Sequence, residues 1–297
     1  MASSHDSYDA LKKTGYFVDP ETAEEAERLR IQGRYLDRHM GLLPVDLPYS
    51  VIGPEGAVLD IGCSSGGWAC DLAATYPHLQ ITGIDISDNM IRAARARAYA
   101  NHLAQTCQFA SIDVRTLPLP FADASFSLVH IRLIFAFMTP TLWSQLMEDV
   151  SRILRPGGVL IVIENDAQCW TTSTALANLY RLGHQALYKN QNSWEQEHVG
   201  IVVRLPRLMQ ANGFQLHSMQ SYRIDIGANS EGYRLGIKDH KSLYRDLRPF
   251  YLRQEVATPR QLDLLYEQMC EDMEQPDYNA YWLFTRVTGR KTTHEAI

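Results

Sequence analysis

The chain has 297 residues, a net charge of −6, 45% hydrophobic and 21% charged residues. At roughly 100–200 residues per domain this is one large domain or two small ones, with enough apolar content for a full core, which excludes global disorder. The acidic balance argues against a broad nucleic-acid surface, and no apolar run approaches the roughly 20 residues needed to cross a bilayer.

Residues 1–20 are polar, a tail or a lid. The opening MASSHDSYDALKKTG has no apolar signal core, so a cytoplasmic protein is expected. The five cysteines, Cys63, Cys70, Cys107, Cys169 and Cys270, lack CxxC pairing and read as reduced thiols. Residues 21–40 predict a helix with acidic first turns and Arg28, Arg30, Arg34 and Arg38 further on, the order that complements the helix dipole. Leu29, Ile31, Tyr35 and Leu36 give it an imperfect apolar stripe. Gly53, Pro54 and Gly56 then break the chain.

Strands and helices alternate from there. Ala57–Ile61 predicts a strand ending at Gly62, Trp68–Tyr76 a helix, and Gln80–Ile86 a second strand. Ser87 caps a helix over Asp88–Ala100. Cys107–Ile112 and Phe126–Ile131 are the third and fourth strands. Thr139 caps a helix that starts at Pro140 and carries the stripe Leu142, Leu146, Val150, Ile153 and Leu154. Arg155-Pro156-Gly157-Gly158 stops it, and Val159–Ile163 is a fifth strand. Near-continuous apolar strands alternating with helices predict an α/β, doubly wound parallel sheet buried on both faces. Beyond it, Asn165–Gln191 reads as mostly helical, Pro206–Asn212 as a short helix and Phe214–Ile226 as a strand. Thr258-Pro259-Arg260-Gln261 opens another helix with a capping box, and Tyr281–Val287 (YWLFTRV) is the last strand. These segments complete the same sheet and add a helical cover; a separate domain is the alternative.

The stretch Val58-Leu59-Asp60-Ile61-Gly62-Cys63-Ser64-Ser65-Gly66-Gly67-Trp68 runs from strand through a small-residue turn into a helix. Such a turn lets a ligand approach the backbone, and the helix start offers free N–H groups. Asp85 ends the second strand, where a carboxylate can accept both hydroxyls of a ribose. Asp113 follows the third strand, placed to accept from an adenine amino group. Ligands of open α/β sheets bind at these carboxyl ends, so an adenosine-containing cofactor is expected. Gly62-x-Ser64-x-x-Gly67 is also a degraded dinucleotide fingerprint, which keeps a nicotinamide cofactor in play. Asp60 argues against it: a carboxylate there repels a pyrophosphate but suits an ammonium.

Together, VLDIGCSSGGW, ITGIDIS, FASIDV, LPFADASFSLVHIRL and RILRPGGVLIVIE resemble the class I S-adenosylmethionine-dependent methyltransferases, in particular the small-molecule branch of quinone-pathway and natural-product enzymes. The resemblance covers about residues 55–165 and extends weakly to RLPRLMQANGF and YWLFTRV. It implies a seven-stranded, mostly parallel Rossmann-like sheet with an antiparallel last strand. It implies one domain over 1–297: an N-terminal helical or lid segment (1–50), a cofactor-binding core (51–165) and a substrate cover that completes the sheet (166–297). The cofactor implied is S-adenosylmethionine, leaving as S-adenosylhomocysteine. Gly62, Ser64 and Gly66 would lie beside its methionine part, Asp85 on its ribose with Ile86 near the adenine, and Asp113 on the adenine amino group with Val114 beside it. His130, after the fourth strand, would line cofactor and substrate. Ser64 departs from the family's middle glycine, and its hydroxyl could hydrogen-bond the cofactor carboxylate.

His130 is the foremost candidate base, with a structural or cofactor-contacting role as the plainer alternative. His198 is the second candidate and His184 a third, both in an aromatic cover with Trp170, Tyr180, Tyr188 and Trp194; a surface position is the plainer alternative for each histidine. Glu164 and Asp166 end the fifth strand as a base, a polar lining or a solvated end. Arg28 and Gln32, one turn apart, could reach the cofactor carboxylate. Arg92, Arg95 and Arg97 read as a solvated face. No cluster has metal-ligand spacing, and methyl displacement needs no metal. The expected function is methyl transfer to a small organic molecule, O-methylation first, by a monomer or a homodimer that takes no nucleic acid. A cofactor-binding protein that does not methylate is the alternative.

Overall fold

In the computed structural model, which describes residues 17–47, 53 and 56–293, the strand–helix alternation is present from Ala57 onward. The predicted lid therefore lies outside the described residues over 1–16. The helix read over 21–40 forms as α1 (Ala23–Met40), capped by Thr22, whose hydroxyl accepts from Glu25 N at 3.2 Å. The core strands are β1 (Ala57–Ile61), β2 (Gln80–Asp85), β3 (Cys107–Ser111), β4 (Phe126–Arg132) and β5 (Leu154–Glu164). Their helices are α2 (Gly67–Thr75), α3 (Asp88–Ala100) and α4 (Pro140–Ile153). Ser87 and Thr139 cap α3 and α4 as predicted.

β1 pairs in parallel with β2 and β4, setting Ile61 opposite both Ile84 and Ile131. β3 continues beyond β2 with Ser111 opposite Asp85, and β5 beyond β4. The carboxyl ends of these strands therefore finish together, carrying Gly62, Asp85 and Arg132 to one rim. Burial of nearly every residue of β1 and β4 reflects helices on both faces.

The chain then adds β6 (Cys169–Thr171), α5 (Thr174–Lys189), α6 (Leu205–Ala211), β7 (Phe214–Asp225), α7 (Tyr233–Arg253), α8 (Pro259–Met273) and β8 (Ala280–Lys291). β8 runs antiparallel to β5 on one side and to β7 on the other, with β6 against its start. The sheet order is β3-β2-β1-β4-β5-β8-β6 with β7 also on β8, so it is mostly parallel with an antiparallel last strand, as expected. Thr258 and Gln261 form the predicted capping box of α8. No described helix is long and apolar enough to cross a membrane.

Two expectations are corrected, the strand number and the place of Arg155–Gly158. The sheet has eight strands rather than seven, because Cys169–Thr171 pairs with Ala280–Trp282. Most of Asn165–Gln191 is helical, as expected, but α5 begins only after its Ser173 cap, since Asp166 and Ala167 both take φ of 52°, which no right-handed helix accommodates. Arg155-Pro156-Gly157-Gly158 does not lie outside the strand but forms an irregularity within β5, where Gly157 has φ of 75°. α7 was absent from the sequence expectations altogether. Its buried stripe runs through Gly236, Asp239, His240, Tyr244 and Leu247, so small and polar residues mask the helical period.

Candidate active site

A cavity of about 500 Å³ opens at the carboxyl rim, between the strand ends and α1. Gly62, at its floor, has φ of 72°, and a Cβ there would stand 2.9 Å from Ile134 Cγ2. Its N–H and that of Cys63 both donate to Ile84 O at 2.9 Å, tying the turn to β2. Ser64 holds the left-handed φ of 49° that glycine would take freely. Its N–H donates to Asp85 Oδ2 at 3.0 Å, while its hydroxyl turns to Met90 Sδ at 3.5 Å. Gly66 is not part of the cavity lining. A Cβ on it would meet Phe109 at 2.8 Å and Ala94 at 2.9 Å, so it serves the packing of α2 on α3 and β3.

Asp85 accepts from Ser64 N at 3.0 Å and Ser87 N at 2.9 Å. Burial outweighs these two hydrogen bonds and pushes its carboxyl up to about 6. Asp113 is paired bidentately with Arg115, Nη2 to Oδ2 at 2.8 Å and Nε to Oδ1 at 2.9 Å. Oδ1 also accepts from Arg115 N at 2.9 Å, so of the roughly four lone-pair sites of this cavity-lining carboxylate the spare acceptor capacity is on Oδ2. Ile86, Met90, Ile112 and Val114 line the same end. An apolar slot edged by two carboxylates is thus built from the ends of β2 and β3.

At the floor, β1 and β4 set Asp60 directly beside His130. His130 Nδ1 donates to Asp60 Oδ1 at 2.8 Å, and its ring stacks on Trp68 with centroids 3.9 Å apart and planes 10° apart. His130 is 1% exposed, and burial holds its pKa below the usual histidine value against the opposing pull of Asp60. The imidazole is therefore neutral at pH 7, with the proton on Nδ1 and a lone pair on Nε2. Nε2 has no hydrogen-bond partner among the described residues. Trp68 and the Asp60–His130 pair were not foreseen as a unit; the parallel register that joins them is invisible until strand order is known.

α1 forms the facing wall. Arg28 is not in the lining: it is spent on Glu25 and Asp239. Gln32 does line the cavity and donates Nε2 to Asp239 Oδ1 at 3.2 Å. Arg132 ends β4 in an ion pair with Asp37 at 2.5 Å. The other candidates lie outside the lining. His198 sits on the loop after α5 with its Nδ1 buried and unpartnered among the described residues, away from the cavity. His184 is buried, not on the surface, with Nε2 bonded to Ala167 O at 2.9 Å. Glu164 accepts from Ile134 N at 2.9 Å, and Asp166 accepts from Ile201 N and Val202 N. Trp170, Tyr180, Tyr188 and Trp194 do not border the cavity. Of the predicted solvated arginines, Arg92 and Arg95 are exposed, Arg95 also donating to Phe109 O, whereas Arg97 is half-buried, donates to Ser65 O and lines the cavity.

An adenosyl sulfonium fits this cavity on the chemistry of its walls. The carboxylates suit the hydroxyls of a sugar and the amino group of a purine, the apolar slot suits the purine faces, and the open turn at Gly62 suits a thioether-bearing chain. A family profile for methyltransferase domains matches residues 58–158. The chain is 35% identical over 147 residues to a 27-O-demethylrifamycin SV methyltransferase of Amycolatopsis mediterranei, covering 49% of this chain and 48% of that protein. It is 32% identical over 126 residues to a ubiquinone/menaquinone biosynthesis C-methyltransferase of Syntrophotalea carbinolica, covering 42% and 49%. The chain thus spans about half the length of these curated relatives. A solved S-adenosylmethionine-dependent methyltransferase of Methanosarcina mazei superposes with a TM-score of 0.51 at 19% identity, over 84% of this chain and 100% of that one. Residues 58–158 thus carry a methyltransferase domain, and the sheet and rim around them have the fold of the S-adenosylmethionine-dependent methyltransferases that the chain resembles.

Proposed function

We propose that the protein transfers the methyl group of S-adenosylmethionine to a small organic molecule, with a hydroxyl oxygen as the favoured acceptor. The observation that carries this is the convergence in one cavity of the Gly62–Ser64 turn, Asp85, Asp113 and a neutral His130. A volume of about 500 Å³ lies within the roughly 300–1,000 Å³ of small-molecule sites. Gly62 and Ser64 would lie along the methionine part, Asp85 on the ribose with Ile86 beside the purine, and Asp113 on the adenine amino group with Val114 against it. When bound, the cofactor supplies a methyl already activated on a sulfonium, so no covalent enzyme intermediate is needed.

The chain's own contribution is alignment and a proton acceptor. His130 Nε2 takes the proton of an acceptor hydroxyl, and the imidazolium that results is held by Asp60. Asp60 also fixes the tautomer, since a carboxylate only accepts and so keeps the proton on Nδ1. Trp68 fixes the ring plane. α1 covers the site and shields it from water. The 27-O- position in the name of one relative agrees with an oxygen acceptor, and the C-methyltransferase name of the other marks carbon as the second choice.

Calorimetry with S-adenosylhomocysteine, then incubation of the protein with S-adenosylmethionine and hydroxylated small molecules, tests this. Binding and hydroxyl-dependent formation of S-adenosylhomocysteine are expected. Folded protein that binds no S-adenosylhomocysteine would overturn the proposal. Binding without turnover on any acceptor would favour the non-methylating alternative.

A further inference from the structure

Behind the α1 wall lies a buried ionic cluster. The Arg28 guanidinium grips Glu25 with Nε at 2.6 Å and Nη2 at 2.7 Å, and reaches Asp239 Oδ1 with Nη1 at 2.7 Å. The three side chains are 6%, 0% and 3% exposed. Asp239 Oδ1 also takes the Gln32 amide at 3.2 Å. A carboxylate paired with a guanidinium is ionised and has only lone pairs to offer. The end of the Gln32 amide that faces it must therefore be the –NH2. The carbonyl oxygen is left, and Gln32 lines the cavity.

A free glutamine can turn either end of its amide toward a ligand. Gln32 cannot, because turning would set its oxygen against Asp239. The same device operates at His130, where Asp60 lies behind the ring and commits Nε2 to accepting. Two side chains of one cavity are thus each locked as hydrogen-bond acceptors by a carboxylate behind them. This reverses the expected role of Gln32 as a donor to the cofactor carboxylate.

We propose that Gln32 is a specificity-determining residue whose amide oxygen, fixed by Asp239, selects a hydrogen-bond donor on the bound ligand and repels a carboxylate. The donor is either the ammonium of the cofactor's amino-acid moiety or a hydroxyl or N–H on the methyl acceptor, beyond the hydroxyl that His130 takes. This inference rests on the methyl-transfer reading above.

Gln32→Met keeps the side-chain length, removes the acceptor and leaves the Arg28–Asp239 pair intact. Wild type and variant are titrated by calorimetry with S-adenosylhomocysteine and with 5′-methylthioadenosine, which has the nucleoside and thioether but no ammonium or carboxylate. Catechol is then tested by saturation-transfer NMR with S-adenosylhomocysteine saturating. If the cofactor ammonium is the donor, the variant binds S-adenosylhomocysteine about tenfold more weakly and 5′-methylthioadenosine equally well. If the acceptor carries the donor, both nucleosides bind unchanged and the catechol signal seen with wild type is lost. Asp239→Asn, which lets the amide turn, should reproduce part of either effect. Equal binding of all three probes to wild type and Gln32→Met overturns the inference, as does tighter binding of S-adenosylhomocysteine by the variant. Wild-type protein that binds neither nucleoside fails the methyl-transfer reading itself, whereas binding of both with no effect at Gln32 fails this inference alone.

Discussion

In the proposed reading, His130 serves as a base because of its surroundings rather than its own chemistry. Burial keeps it neutral, Asp60 chooses its tautomer and Trp68 chooses its plane. Replacing it by glutamine keeps a donor for Asp60 but removes the basic nitrogen. For an oxygen acceptor, turnover of His130→Gln should fall by about 100-fold or more, within the usual range for loss of a general base. S-adenosylhomocysteine affinity should change little, and steady-state kinetics with calorimetry check both. Asp85 gives a pH prediction. Burial holds its carboxyl at about 6, and in the proposed reading the ribose hydroxyls donate to its ionised form. Cofactor affinity should be flat above that pH and fall by up to about tenfold per pH unit below it. Calorimetry between pH 5 and 7.5, in buffers of different ionisation heat, would show proton release on binding; its absence would remove Asp85 from the ribose. Both acids of the slot were legible because each follows an apolar strand directly. The geometry of Ser64 was not: its left-handed φ depends on the hydrogen bond from its N–H to Asp85 and on the close fit of the turn.

Among the elements, those with local signals were readable. Ser87, Thr139 and the Thr258–Gln261 box each mark a helix start through a side chain that meets its own backbone, which needs no tertiary partner. α7 has no such cap, opening at Gly232, and its buried stripe is defined by partners far away in sequence: Gly236 is small because a Cβ would meet Ile226 at 2.7 Å, and Asp239 is tolerated because Arg28 arrives from α1. β6 was unreadable for a related reason, since three residues carry no period and form a strand only because β8 lies beside them. Gly66 shows how a motif residue can serve the joint between elements. Gly66→Ala must accept φ of 70° and a Cβ 2.8 Å from the Phe109 ring, and should destabilise the fold by about 2–4 kcal/mol. Gly67→Ala, whose Cβ meets nothing within 4 Å, should be neutral or stabilising by up to about 1 kcal/mol. Urea denaturation of the two neighbours separates packing from loop chemistry; equal losses would place the constraint in the turn itself.

For the molecule as a whole, stability should depend on pH through groups that the fold buries against their charge. His130, His184 and His240 are all held below the ordinary histidine pKa by burial. The unfolded chain gains their protons below about pH 6.5 while the native chain does not, so stability is lost as pH falls from there. Glu164 acts in the opposite direction. It is fully buried at the end of β5, where one oxygen accepts from Ile134 N and the other has no partner among the described residues. Burial raises its pKa well above the carboxylate range, so the native chain keeps a proton that the unfolded chain releases near pH 4.5. Stability is therefore lost as pH rises from there toward the native pKa, by up to about 1.4 kcal/mol per pH unit. Above pH 6.5 the histidine contribution is constant, and the slope toward alkaline pH comes from groups whose pKa burial raises: Glu164 first, then the Cys63 and Cys169 thiols as pH nears their free value. Glu164→Gln keeps the acceptor for Ile134 N, and with it the wall of the cavity, but cannot ionise. Urea midpoints at pH 6.5 and 7.5 should decline more steeply for wild type than for the variant, with m-values unchanged. A variant that declines as steeply as wild type would show that Glu164 is ionised in the native fold and that the alkaline slope arises elsewhere.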